Sequence, residues 1–248
     1  MERDHSSVVR EEFERAAPVF ARRTAGRFDH LDVLTFARAA PGERVVEIGA
    51  GTGNFLSLFA PVASLLVAMD LTPGMLRVAR ERNAGMMAVA GDGARPPFAA
   101  GSFDLVASAH AVHHIPEPGP VLREISRLAR DGGRVIVVDV AGPEDPAESA
   151  RMNEVMTIRD PSHALCLTPA ALRAALRDAG FRVVDERIVD REGLVSNWMW
   201  PGEFPEERIA AVRSYVSAHW SELGMGLRPA GENFTYVDRR MMFLAEPS

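Results

Sequence analysis

Arg44-Val45-Val46-Glu47-Ile48-Gly49-Ala50-Gly51-Thr52-Gly53-Asn54-Phe55 decides how this chain is read. A β-branched run ends on an acid, and glycines follow at every second position. Val and Ile suit a strand covered on both faces. Glycines so close together make a turn that brings bare backbone up to a ligand. Phe55-Leu56-Ser57-Leu58-Phe59-Ala60 then starts as a helix, which Pro61 stops. Strand, turn and helix form a nucleotide-type cradle, with the free N–H groups of the helix start facing its contents. A nicotinamide or flavin fingerprint, G-x-G-x-x-G, carries its third glycine at the sixth position. Here the third glycine is Gly53, at the fifth, and Asn54 holds the sixth. That spacing counts against an NAD(P) oxidoreductase. A turn that serves only tight packing is the bland alternative.

Outward from this stretch, the pattern alternates strands and helices. Leu65-Leu66-Val67-Ala68-Met69-Asp70 is a second buried strand, ending on an acid about 20 residues after Gly49, the length of one crossover. A carboxylate there suits a ribose diol; it also suits the start of the next helix, which Thr72-Pro73 opens. Met86-Met87-Ala88-Val89-Ala90 is the third strand, and Gly91-Asp92-Gly93 follows it. Asp92 sits at the sheet edge where open α/β sheets take ligands, or it stabilises the turn. The fourth strand is Phe103–His110 and the fifth 134–140, with an amphipathic helix over 120–128 and a turn at Asp131-Gly132-Gly133 between them. His113-His114 does not make a metal site, because neighbouring residues do not share a face and no third ligand accompanies them.

Ahead of the first strand, Val9, Phe13, Ala17 and Phe20 recur at helical spacing, and Pro18 is expected to interrupt that helix. Phe28, Leu31 and Leu34 mark a second helix. This segment either closes over a ligand or simply caps one rim of the sheet. After the fifth strand come a polar stretch with a helix near 147–158, the segment Asp160-Pro161-Ser162-His163, and a helix that Thr168-Pro169 opens and Gly180 ends. The sixth strand is 181–188 and the seventh 241–245. Between them lies an insertion containing Trp198-Met199-Trp200-Pro201 and a helix with Ile209, Val212, Val216 and His219/Trp220 on one face.

The 248 residues, 47% hydrophobic, suffice for one α/β domain with an insertion. A net charge of −6, with arginines scattered, makes no electrostatic case for nucleic acid. The single cysteine, Cys166, precludes an internal disulfide and fits a reducing cytoplasm. The opening residues Met1-Glu2-Arg3-Asp4-His5 are polar and acidic, unlike a signal peptide, and no apolar run nears a membrane span.

The pieces VVEIGAGTGNF, VAMDLTPGML, AGDGARPPFAAGSFDLVASAHAVHHIPEP and LREISRLARDGGRVIVVD occur in order over about residues 40–140. Together they resemble the successive motifs of class I S-adenosylmethionine-dependent methyltransferases, of the type that acts in ubiquinone and menaquinone biosynthesis. The resemblance implies a Rossmann-like α/β fold with a seven-stranded sheet, order 3-2-1-4-5-7-6, last strand antiparallel, and helices on both faces. It implies a cap over 1–40, a cofactor-binding core over 41–189, a helical insertion or lid over 190–238 and a final core strand over 239–248. It implies that Glu47, Gly49, Ala50, Gly51 and Gly53 line the methionine end of S-adenosyl-L-methionine. Asp70 would hold the ribose, Leu71 would lie along the adenine, and Asp92 beside Gly93 would meet the adenine amino group. Backbone at Ala109 and His110 would flank the sulfonium. Phe20 departs from the family pattern, which ends that segment in Tyr, so any phenol contact is missing here.

Methyl transfer from a sulfonium needs the acceptor positioned and water excluded. A phenol or activated carbon also needs its proton removed, for which His163, His114 and Asp160 are the candidates. Each histidine could instead donate to a backbone carbonyl, and Asp160 could be a turn acid before Pro161. The expected reaction is O- or C-methylation of a small acceptor, aromatic or quinone-like, by a monomer or homodimer. Trp198 and Trp200 either cover that acceptor or pack the insertion. A binder of the same fold with a non-methylating role, such as a cyclase, is the alternative, because fold does not fix reaction.

Overall fold

The structure is a computed structural model, and it describes residues 4–199 and 204–248. Helix α1 (His5–Arg23) and a short α2 (Val33–Phe36) precede the sheet. Then follow β1 (Glu43–Ile48), β2 (Ala63–Asp70), α3 (Pro73–Arg82), β3 (Met86–Ala90), β4 (Phe103–Ala109), α4 (Pro118–Leu128) and β5 (Ala129–Val140). The second half comprises α5 (Pro146–Arg159), α6 (Pro169–Asp178), β6 (Phe181–Leu194), α7 (Val195–Trp198), α8 (Glu206–His219), β7 (Arg228–Ala230) and β8 (Asn233–Pro247).

The sheet order is β3-β2-β1-β4-β5-β8-β6. β1 to β5 run parallel, and β8 enters antiparallel between β5 and β6. This is the expected α/β Rossmann-like arrangement. It carries one strand more than expected: β7, from within the insertion, pairs with the start of β8. β1 shows why the opening stretch reads as it does. Val45 packs into the apolar layer with Phe55 and Phe59, whereas Val46 and Ile48 pack into the opposite layer with Val106 and Leu122. A strand buried on both faces needs apolar residues throughout rather than alternation. A third apolar cluster, with Val155, Val195 and Val212, binds α5 to the insertion.

Several local expectations are corrected. α1 runs through Pro18, because buried Ala17 and Ala21 on either side anchor a helix that loses only one backbone bond there. The helix after the glycine turn is a single 3-10 turn, Leu56–Phe59, since Pro61 and the start of β2 leave no room for more. The second helix splits into a 3-10 turn at Asp29–Leu31 and α2, with Asp32 left-handed between them. The Asp131–Gly133 turn lies inside β5 as a bulge: Phe103 faces Ala129, but Leu105 already faces Arg134. β6 continues to Leu194 and β8 begins at Asn233, so the segment between them is shorter than 190–238. Trp220, expected inward, is 38% exposed, because a 3-10 turn at Trp220–Glu222 takes it off the α8 stripe. Trp200 and Pro201, like Met1–Arg3, lie outside the described residues.

Candidate active site

A cavity of about 250 Å³ opens at the C-terminal ends of β1, β2 and β4, and the loops after these strands and β3 line it together with α1. The glycine turn forms its floor. Gly49 has φ 76°, and a Cβ there would lie 2.5 Å from the Ala111 Cβ, so this glycine is required by the fold. Gly51 has φ 52° with nothing within 4 Å of where a Cβ would be, so it leaves open space for a ligand. Glu47 is 1% exposed and accepts the Leu56 N–H at 3.0 Å. Burial pushes its carboxyl well above the usual range, and nearby Asp70 adds to this against the Leu56 bond. No cationic side chain pairs with Glu47 among the described residues, so a ligand ammonium would restore its charge.

Asp70 accepts the Gly51 N–H at 2.7 Å and the Thr72 N–H at 2.8 Å, one on each oxygen. It therefore ties the glycine turn to the head of α3, and each oxygen has capacity for another donor. Burial raises its pKa, and these backbone bonds oppose the rise. Asp92 is exposed and accepts the Ala94 N–H at 2.9 Å, a turn-stabilising contact, while also lining the cavity. Ala50, Leu71, Gly93, Ala109 and His110 line it as well; Gly53 does not, because a Cβ there would meet Met86 and Ala79 behind the turn. Bare backbone at the turn, a buried acid without a cation and a diol-compatible carboxylate fit an adenosyl amino acid.

α1 covers this cavity. Val9, Phe13 and Phe20 line it, which explains why an apolar stripe stays only half-buried. Glu14 fixes the helix by accepting the Gly74 N–H at 2.9 Å, at the positive end of α3. Asn54, the residue that replaces a sixth-position glycine, donates to Thr24 Oγ1 at 2.5 Å and so pins the end of α1 to the glycine turn.

Beyond the glycine turn lies a cluster of charged and aromatic groups. His110, at φ 53°, follows β4 in a left-handed conformation. Arg27 lies 2.9 Å from its Nδ1, and Arg240 contacts both ring nitrogens, Nδ1 at 3.0 Å and Nε2. Burial and then the charges of Arg240 and Arg27 hold His110 well below its ordinary pKa, so it is neutral. Burial and then Arg240 bring Arg27 down to about 9. His113 pairs through Nδ1 with buried Asp139 at 2.5 Å. Burial alone would raise Asp139, but the charge and hydrogen bonds of His113 outweigh it, and its pKa is lowered.

His114 and Asp160 line the cavity; His163 does not. His114 Nδ1 lies 2.9 Å from the Ser162 carbonyl oxygen, which can only accept. The proton is therefore on Nδ1, and Nε2 carries the lone pair. Burial, then His113, brings His114 down to about 4, so it is neutral at pH 7. Asp160 accepts both the Ser162 N–H at 2.9 Å and the Ser162 hydroxyl at 2.5 Å. Burial opposes its ionisation, but His114 and Arg159 outweigh burial and lower its pKa. His163 is 5% exposed, with Nε2 bonded to Asn153 Oδ1 at 2.8 Å. Burial, then His113, takes it down to about 3. It sits behind the cavity wall, because the Asp160–His163 turn that brings Asp160 forward turns the His163 ring toward α5.

Sequence reasoning passed over Arg27, Arg159 and Arg240. Arg240 had a signal. It precedes the apolar run of β8, where period-two alternation turns it inward, 9% exposed, while Arg239 points out to Asp190 at 2.7 Å. Arg27, in a turn before the sheet, had none.

Residues 46–137 match a family model described as a methyltransferase domain. The demethylmenaquinone methyltransferase of Renibacterium salmoninarum is 35% identical over 111 residues, covering 45% of this chain and 47% of the relative. YcgJ of Bacillus subtilis, described as an uncharacterized methyltransferase, is 34% identical over 136 residues, 53% of this chain and 54% of the relative. The chain thus spans about half the length of the curated relatives it matches. The solved structure of BH2331 from Bacillus halodurans superposes with a TM-score of 0.81 at 24% identity, covering 88% of this chain and 98% of that one, and shows the shared fold. No described helix is long and apolar enough to cross a membrane. Motif order and sheet topology agree with that match: residues 46–137 carry the likeness to a methyltransferase domain, set on a Rossmann-like sheet.

Proposed function

We propose that this protein transfers a methyl group from S-adenosyl-L-methionine to a small-molecule acceptor held between α1 and the loop after β4. The observation that carries this reading is one continuous cavity running from Asp70 and the glycine turn to His114 and Asp160. When bound, S-adenosylmethionine supplies a methyl group already activated by its sulfonium. Glu47 would take the methionine ammonium, Asp70 the ribose, and Leu71 and Asp92 with Gly93 the adenine; Gly49, Ala50, Gly51 and Gly53 shape the turn, and Ala109 and His110 would flank the sulfonium. Phe13, Phe20 and the edge contact of Phe13 on His114, at 4.9 Å between ring centroids, support a flat, aromatic or quinone-like acceptor. His114 accepts the acceptor's proton on Nε2, while Ser162 and Asp160 hold the ring in that tautomer. His163 takes no part beyond holding Asn153. α1 covers the site, and Trp198, Gly224 and Met225 of the insertion line the adjoining smaller cavity.

The test is incubation with S-adenosylmethionine and a panel of quinols, phenols and amines, detecting S-adenosylhomocysteine and product mass together. A product heavier by one methylene unit supports the reading. S-adenosylmethionine that does not bind, or a product isomeric with its precursor, overturns it; the isomer would point to the cyclase alternative.

A further inference from the structure

A second cavity of about 70 Å³ adjoins the first and shares Arg27, His110, His113 and Arg159 with it. Arg240 and Asp238 line only this smaller cavity, away from Asp70 and the glycine turn. Its charges do not balance. Arg240 pairs with Asp238 at 2.6 Å. Arg159, whose guanidinium lies 4.8 Å from the Trp198 ring centroid, feels the charge of Asp160. Arg27 has the His110 ring and the Phe28 face, at 5.4 Å, and no ion-paired carboxylate among the described residues, although the charge of Asp238 reaches it. Asp238 thus serves both Arg240 and Arg27, and one guanidinium charge is left over where two cavities meet. An uncompensated, half-buried cation is costly unless a ligand completes it.

We propose that Arg27 and Arg240, on either side of His110, seat a carboxylate carried by the methyl acceptor. The proposal rests on the methyltransferase reading of the larger cavity and adds the acceptor's class: an acid, aromatic or otherwise, rather than a neutral quinol. His110 fixes the geometry. Both guanidiniums are held against its ring, which lines both cavities. A planar carboxylate matches the guanidinium fork. A single negative charge also matches the single unbalanced positive one, whereas a phosphate dianion would overshoot. Tyr236, at the same wall, adds a hydroxyl.

The test is calorimetric titration of the protein saturated with S-adenosylhomocysteine, using benzoate, benzyl alcohol and inorganic phosphate as probes. Benzoate is expected to bind at least about tenfold more tightly than benzyl alcohol, and Arg27→Gln to remove about that factor. The affinity of Arg27→Gln for S-adenosylhomocysteine is expected to stay within about threefold of wild type. Equal binding of benzoate and benzyl alcohol overturns the proposal. So does phosphate binding more tightly than benzoate, or an Arg27→Gln protein that loses S-adenosylhomocysteine instead, which would assign the arginine to the donor's own carboxylate. Should Arg27→Gln not fold, the wild-type contrast decides alone. Failure of S-adenosylhomocysteine to bind wild type would strike the methyltransferase reading, and benzoate titrated into the free protein would still decide this one.

Discussion

The two ends of the large cavity are built in opposite ways. The end at Gly49, Gly51 and Asp70 is made by contiguous stretches of chain, and its groups are mostly backbone or are held by backbone. The end at His110, His114 and Asp160 is made by side chains from α1, the turn after it, the β4 loop and the α5 end, with Arg240 of β8 holding His110 from the adjoining cavity. A cofactor of fixed shape can be met by a fixed turn. An acceptor is met by side chains, which change without disturbing the turn. The difference implies that damage at the first end costs cofactor binding, and at Gly49 the fold as well, whereas damage at the second costs turnover.

The hardest test of that contrast is Gly49→Ala against Gly51→Ala. At Gly49 the added methyl meets Ala111 at 2.5 Å, so the variant should lose about 2–4 kcal/mol of stability in a denaturant melt and bind no S-adenosylhomocysteine. At Gly51 nothing is struck, and only the left-handed strain of about 1–2 kcal/mol applies. That protein should fold yet bind the cofactor product at least about a hundredfold more weakly, as measured by calorimetry, since about 3 kcal/mol separates the two affinities. If both variants behave alike, the two glycines are not doing different jobs.

His114→Gln against His163→Gln sharpens the second end. Removing a general base costs about 10²- to 10⁴-fold in kcat, so the His114 variant should fall by that much while its S-adenosylhomocysteine affinity holds. The His163 variant should keep its rate within about threefold and lose about 1–3 kcal/mol of stability, because Asn153 loses a buried partner. A reversed result would return the base role to His163.

Acid titration separates the ends again. His114 and His163 have folded pKa values near 4 and 3, below the ordinary 6.5. Between those values the unfolded chain binds more protons, so stability rises with pH from about 4 to 6.5 and falls on acidification. The lowered pKa of Asp139 acts in the same sense below the ordinary carboxylate range. Replacing His114 with Gln should flatten the pH 4–6.5 slope by about 1–3 kcal/mol in chemical melts, discounted for relaxation on burial. An unchanged slope would mean the ring is hydrated.

The smallest expected effect joins the two ends. Asn54→Ala cuts the tie to Thr24 and should cost about 0.5–1.5 kcal/mol, with cofactor affinity down only a few-fold.

What was legible in the sequence follows the same division. The run Val45–Gly53 announces a buried strand and a left-handed turn because both are local demands on residue type, and the strand order came from the family resemblance that the motifs carry. The 3-10 turn after it was not legible, since Leu56–Phe59 has helical composition and only the distance to β2 cuts it short. The bulge in β5 hid behind Asp131-Gly132-Gly133, which reads as a turn wherever it lies. Pairings such as Arg27 with His110 join residues 83 apart, and no periodicity records them. His163 and His114 looked equivalent because residue type fixes what a ring can do, whereas burial behind Asn153 decides whether it meets a ligand.

His110 carries one more consequence. An L residue rests in the left-handed region only when its surroundings insist, and here the His110 N–H bond to the Val138 carbonyl, at 2.8 Å, holds the backbone while two cations hold the ring. Loosening either cation frees the ring and leaves the backbone bond at the end of β4 in place. The partition between the two chambers can therefore change its charge without changing its course.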